Sequence, residues 1–172
     1  MSDAIYNTLL IPTLIAVAGF IGKSVYDIYL DKRKRNRKLI ESKLQYFYWP
    51  ICIRLTKNEN IYQYLYKGKK DTDKDSLDYK IAHYVEKAIL MTNHKEIIDI
   101  ITRYRHFADA DTEVGGLIDA YIRHVSVYNA LMAAKVDEFP ANVSNAPYPA
   151  GIYDYFYRKT LELQSVLDKK KV

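Results

Sequence analysis

Cysteine is almost missing from this chain: Cys52 is the single example in 172 residues. One thiol excludes an internal disulfide and any site built from several cysteines, such as a structural zinc or an iron–sulfur cluster. It suits a reducing compartment, where a lone cysteine serves as a small buried hydrophobe. Glycine (6) and proline (5) are also scarce, so the frequent turns of a β-sandwich or barrel have no residues to make them, and the chain reads as all-α. Catalytic signatures are missing too. Without G-x-S-x-G, a P-loop or G-x-G-x-x-G there is no oxyanion or phosphate cradle. Four histidines are present, but no H-E-x-x-H, H-x-H or E-x-x-H sets them at metal-binding spacing. The expectation is a protein that is not an enzyme and holds no cofactor or metal.

What is present is an uncharged stretch at the start. Residues 5–22 form a run of 18 without a charge, about 27 Å long as a helix and close to the hydrocarbon thickness of a bilayer. Ile5, Leu9, Leu10, Ile11, Leu14, Ile15, Val17, Phe20 and Ile21 together favour insertion by roughly 3 to 5 kcal/mol. Asn7, Thr8, Pro12 and Thr13 erode that margin, although proline is better tolerated in a bilayer than in water. The helix can continue to Leu30, with Lys23 snorkelling and Tyr26 and Tyr29 suited to the interface. Only Asp3 precedes the run, and Lys32, Arg33, Lys34, Arg35, Arg37 and Lys38 follow it. That order argues against a cleaved signal peptide and, by the positive-inside rule, places the N-terminus outside or in a lumen and the rest in the cytosol. The competing reading is a core or oligomerising helix of a soluble protein. The implied organisation is an anchor at 1–31, a basic juxtamembrane segment at 32–38 and a helical domain at 39–172.

Within that domain Leu39, Ile40, Leu44, Phe47, Ile51 and Leu55 recur at helical spacing, so a helix is expected over about 38–56, broken or bent at Pro50. Residues 67–76 read as an exposed charged loop. Leu77, Ile81, Val85 and Ile89 form the next stripe, and Asn93 with Glu96 resembles a capping box opening a further helix. That helix should stop near residues 106–112, where Asp111 or Thr112 can cap the next. Leu117, Ile118, Tyr121, Ile122, Val125, Tyr128 and Met132 make the longest amphipathic pattern, with Ile118, Ile122 and Val125 on one buried face. Pro140, Pro147 and Pro149 mark 136–151 as a loop before a last helix over about 152–168. The architecture expected is a transmembrane helix followed by a cytosolic bundle of about five helices.

Few side chains stand out as a site. His106, Asp109 and Asp111 share a loop that could hold a cation weakly. His94 is expected at a helix start as a surface or capping residue, and His124 as a group bonding across the bundle. The 142–144 sequon would stay unmodified in the cytosol, and the terminal Lys169, Lys170, Lys171 match a dilysine address. The basic cluster fits anionic lipid headgroups better than nucleic acid, because it directly follows an apolar helix.

Tyrosine is abundant at 17 residues, and the most individual stretch, residues 43–50, places Tyr46, Phe47, Tyr48 and Trp49 before Pro50. Together with H-x-E-I-I at 94–98 and Y-I-R-H-V-x-V-Y at 121–128, it resembles small membrane-anchored helical proteins of prokaryotes and viruses. The likeness covers most of the chain after residue 38 and implies no activity, so no catalytic residue is carried over. Tyr46, Tyr48 and Trp49 pack the bend at Pro50, sit at the membrane boundary or form a partner-binding surface. The functional expectation is a non-enzymatic anchored interaction module that meets membrane lipid and an unidentified protein partner. The rivals are a structural component of a membrane-containing assembly such as a virus particle, and an effector whose anchor forms homo-oligomers through Ala16, Ala18, Gly19 and Gly22.

Overall fold

The computed structural model describes residues 11–66, 75–110, 112–134 and 145–169. These residues are 91% helical without a strand, as the scarcity of turn residues requires. The 142–144 sequon, Asp111 and the last three residues lie outside the described residues. The elements are α1 (Ile11–Lys43), a π-turn (Leu44–Tyr48), α2 (Trp49–Ile61), a second π-turn (Tyr62–Tyr66), α3 (Leu77–Val85), a third π-turn (Glu86–Leu90), α4 (Met91–Tyr104) with a 3₁₀ turn (Arg105–Phe107), α5 (Thr112–Ala133) and α6 (Ile152–Lys169). Because the π-turns join their neighbours without interruption, four helices result among the described residues, fewer than the expected five-helix bundle and separate anchor.

Neither a helix break at Pro50 nor a helix start at Asn93 occurs. Pro50 sits in the first turn of α2, directly after the π-turn in which the Trp49 N–H bonds to the Leu44 carbonyl. Bonding to the fifth residue back widens the helix and moves carbonyls away from the pyrrolidine ring, so the proline passes without ending the helix. Asn93, expected as a cap, lies inside α4, where its Nδ2 donates to Asn58 Oδ1 at 2.7 Å. Glu96, its expected capping partner, instead accepts from Arg54 Nε at 2.5 Å. Both side chains bond across to α2, and the backbone amides they would have capped are satisfied by the continuing helix.

The chain divides into two compact units, Met1–Ile40 and Glu41–Val172. In the second, α2 packs against α4 and α6, and α5 joins α4 and α6. The core is filled by Leu44, Phe47, Tyr48, Ile51 and Leu55 from the first π-turn and α2, Ile97 and Ile101 from α4, Ile118, Tyr121 and Val125 from α5, and Ile152, Phe156 and Leu163 from α6. Phe47 and Tyr48 lie 5.8 and 5.9 Å from Phe156, ring centre to ring centre, within the range where aromatic pairs add to simple burial. Cys52 is buried among these groups. On α5 the buried set is Val114, Ile118, Tyr121 and Val125, whereas Ile122 is only half-buried. The inward face thus runs at i, i+4, i+7 and i+11, and Ile122 stands at its edge. Gly151, at φ +85°, makes the left-handed step that starts α6.

One helix near the N-terminus, Thr13–Leu65, is long and apolar enough to cross a membrane by length and composition. Every residue from 13 to 23 is exposed.

Candidate functional site

In the first unit the large apolar side chains of the helix are exposed. Leu14, Ile15, Val17, Phe20 and Ile21 are each at least half exposed, Phe20 at 73%. At about 100° per residue they occupy about 220° of the circumference, and the sector between Ile15 and Phe20 holds Ala16, Gly19 and Lys23. From residue 13 to 22 no side chain on any face is charged, so this stretch lacks the charged face of an ordinary amphipathic helix. Lys32, Arg33, Lys34, Arg35 and Lys38 are exposed, with Arg37 half-buried. By the same rotation their six charges surround the axis, forming a collar roughly 9 Å deep.

The three aromatics singled out before Pro50 separate. Tyr46 and Trp49 remain at the surface, 42% and 41% exposed, whereas Tyr48 is fully buried, so a partner surface including Tyr48 is corrected. A four-residue span covers more than a full helical turn, so the three rings cannot share one face. Tyr46 stacks on Tyr104 at 5.6 Å. Tyr48 Oη accepts the Asp109 backbone N–H at 3.2 Å. Burial, with Asp109 nearby, pushes the Tyr48 phenol up and keeps it neutral.

Asp109, considered above as part of a cation loop with His106 and Asp111, already has two cations. Lys43 Nζ and Lys159 Nζ each lie 2.8 Å from its carboxylate oxygens. Burial raises the Asp109 carboxyl, but the Lys159 and Lys43 ammonium groups outweigh that and hold it below its ordinary value. The loop before α5 is thereby tied to the end of α1 and to α6, and the aspartate's charge is spent on structure.

A cluster of histidines and tyrosines lies between α4, α5 and the segment before α6. His94 Nδ1 and Tyr121 Oη are 2.6 Å apart. Burial drives the Tyr121 phenol up, with Tyr148 adding to it, while burial and the neighbouring His124 lower His94 to about 4. The phenol is therefore the donor to a neutral imidazole. His124 Nδ1 donates to the Ala146 carbonyl at 2.8 Å, and Tyr148 packs edge-on against His124 at 5.3 Å. Tyr148 is 43% exposed as a residue, but partial burial of its phenol, and then Glu59 on α2, raise that group. His94, expected at a surface or as a cap, is half-buried and bonded to Tyr121 of α5, and His124 bonds across to the segment before α6. Tyr121, His124 and Tyr128 stand at i, i+3 and i+7 on α5, a spacing visible in the sequence, and Tyr128 stacks on His124 at 6.2 Å; the pairing of Tyr121 with His94 had no local signal.

These groups are arranged to hold hydrogen bonds between elements. Comparison with protein-family models, curated proteins and solved structures finds no match for the chain, and the likeness to small anchored proteins of prokaryotes and viruses gains nothing from it.

Proposed function

We propose that this chain is a membrane-anchored, non-enzymatic interaction module: the N-terminal helix crosses the bilayer, and the helical domain presents a surface to a protein partner on the cytosolic side. The observation that carries the reading is the exposure of every large apolar residue of α1 from Leu14 to Ile28. Exposing so continuous an apolar surface to water is unfavourable by about 25 cal/mol per Å², and hydrocarbon relieves it. Together with the uncharged run from residue 5, the helix has about the length a bilayer requires. The basic collar then falls at the headgroup layer, where each Lys or Arg near an anionic surface contributes about 1 kcal/mol. Because the charge follows the apolar run, the positive-inside rule puts the N-terminus outside or in a lumen.

Membrane fractionation followed by carbonate washing tests the anchor. The full chain should pellet and resist extraction, and protease added to sealed vesicles of cytosolic-side-out orientation should digest a C-terminal tag. Release of the chain into the supernatant would show that α1 is covered by protein instead of lipid.

A further inference from the structure

The apolar surface of α1 does not stop at Gly22. Val25, Tyr26, Ile28 and Tyr29 are each at least 60% exposed, and the helix runs without a break from Ile11 to Lys43. Two charged residues, Lys23 and Asp27, therefore lie inside the apolar stretch, and both are exposed. With the basic collar at the headgroups, Asp27 stands about 8 Å and Lys23 about 14 Å inward of Lys32, which is within the hydrocarbon. Ionised side chains at that depth are unfavourable against lipid and as a rule face another helix.

Both charges belong to one strip. At about 100° per residue, Ala16, Gly19, Asp27 and Leu30 all fall within about 40° of Lys23 round the axis. No large apolar side chain is exposed in that sector. A Cβ added at Gly19 would meet nothing within 4 Å, and small residues let a second backbone come close. Ala18 and Gly22 stand about 140° and about 100° away from Lys23, so they lie outside the strip.

Charge decides what lies against it. Lipid tails offer neither sign. Pairing within the helix is the poorer solution, because lysine four residues before aspartate is the weaker order, and no ion pair joins the two among the described residues. A helix carrying a single charge would satisfy either Lys23 or Asp27 and leave the other bare. A second copy supplies both. The positive-inside rule gives every copy the same orientation, so two copies pack parallel. Asp27 of one then lies about 6 Å along the axis from Lys23 of the other, within reach of a lysine side chain. Two-fold symmetry makes the pair reciprocal.

We propose that the anchor pairs with a second copy of this chain through Ala16, Gly19, Lys23 and Asp27, with each Lys23 bonded to Asp27 of the other copy. This rests on the reading of α1 as a bilayer-spanning anchor.

The test uses full chains carrying a donor or an acceptor dye on a C-terminal tag, reconstituted together in vesicles of phosphatidylcholine and phosphatidylglycerol. Energy transfer should appear and fall as lipid dilutes the protein. Lys23→Leu with Asp27→Leu makes the anchor more apolar, so it should resist carbonate as well as the unaltered chain yet associate at least about tenfold more weakly. Lys23→Asp alone and Asp27→Lys alone should each lose transfer. Mixing those two should restore it, since opposite charges then meet at both levels, which a pair within one helix cannot reproduce. Gly19→Leu should weaken association, and Ala18→Leu should leave it unchanged. Absence of transfer in the unaltered chain, indifference to the double leucine change, no rescue on mixing carbonate-resistant variants, or equal effects at Gly19 and Ala18 overturns the proposal. Carbonate washing of the same vesicles separates the two readings. A resistant chain without transfer refutes the pairing alone, and a chain that washes off refutes the anchor on which the pairing rests.

Discussion

Acidification should loosen the helical domain through His94 before most carboxylates are protonated. In the folded chain this imidazole is held to about 4, first by burial and then by His124, against an ordinary value of 6.5. The unfolded chain therefore takes up a proton at a pH where the folded chain does not. Folding stability rises with pH wherever the unfolded state binds more protons. The contribution is thus fully present above about 6.5, falls as pH is lowered towards about 4, and changes no further below that. At 1.36 kcal/mol per pKa unit, going from pH 7.5 to 4.5 should remove about 2.5 kcal/mol through this one group. In a domain of this size that lowers the midpoint by on the order of 5 to 10 °C. The assay is thermal unfolding of the full chain in a non-ionic detergent, followed by near-ultraviolet circular dichroism of the tyrosines at both pH values. His94→Gln keeps an acceptor for Tyr121 but cannot titrate, so its midpoint should fall much less over the same interval. Identical pH dependence in the two proteins would refute the buried, neutral imidazole.

Two further outcomes follow from the packing. Asn58 Nδ2 is buried without a hydrogen-bond partner among the described residues, while its Oδ1 accepts from Asn93; Asn93→Ala should therefore cost about 1 to 3 kcal/mol, whereas Asn58→Leu with Asn93→Leu should cost less or stabilise. Melting temperatures decide it, and a double variant weaker than Asn93→Ala would show that the amide pair is a net source of stability. Ile118→Ala should cost about 2 to 5 kcal/mol and Ile122→Ala under about 2, because only the first leaves a closed cavity; equal losses in denaturant titrations would show that both side chains fill the same interior.

Much of the architecture was legible because it rests on local periodicity. The stripe on α5 and the proline-marked start of α6 follow from spacings within one element. The errors share a cause. Pro50 and Asn93 carry strong local signals for a helix end, and each is overridden by something local rules do not contain. At Pro50 it is a wider turn upstream; at Asn93 it is an amide on α2, 35 residues away. His94 was misplaced for the same reason, since Tyr121 lies 27 residues further on. The apolar face of α3, which is exposed, shows the converse limit. Periodicity reveals that Leu77, Ile81 and Tyr84 share a face, but only tertiary structure reveals whether that face turns towards the core.

The first π-turn has a consequence for how the chain can vary in length. Losing or gaining one residue between 31 and 40 would turn the neighbouring helix surface by about 100° and shift it by about 1.5 Å. Because the collar encircles the axis, the charged surface offered afterwards is nearly the same. One residue removed between 44 and 48 instead closes the wide turn. It would bring the carbonyls back against Pro50 and rotate Leu44, Phe47 and Tyr48 out of step with Ile51 and Leu55, all of which are buried. Related chains should accordingly show gaps freely in the basic stretch and none across the aromatic one, even where its individual residues differ.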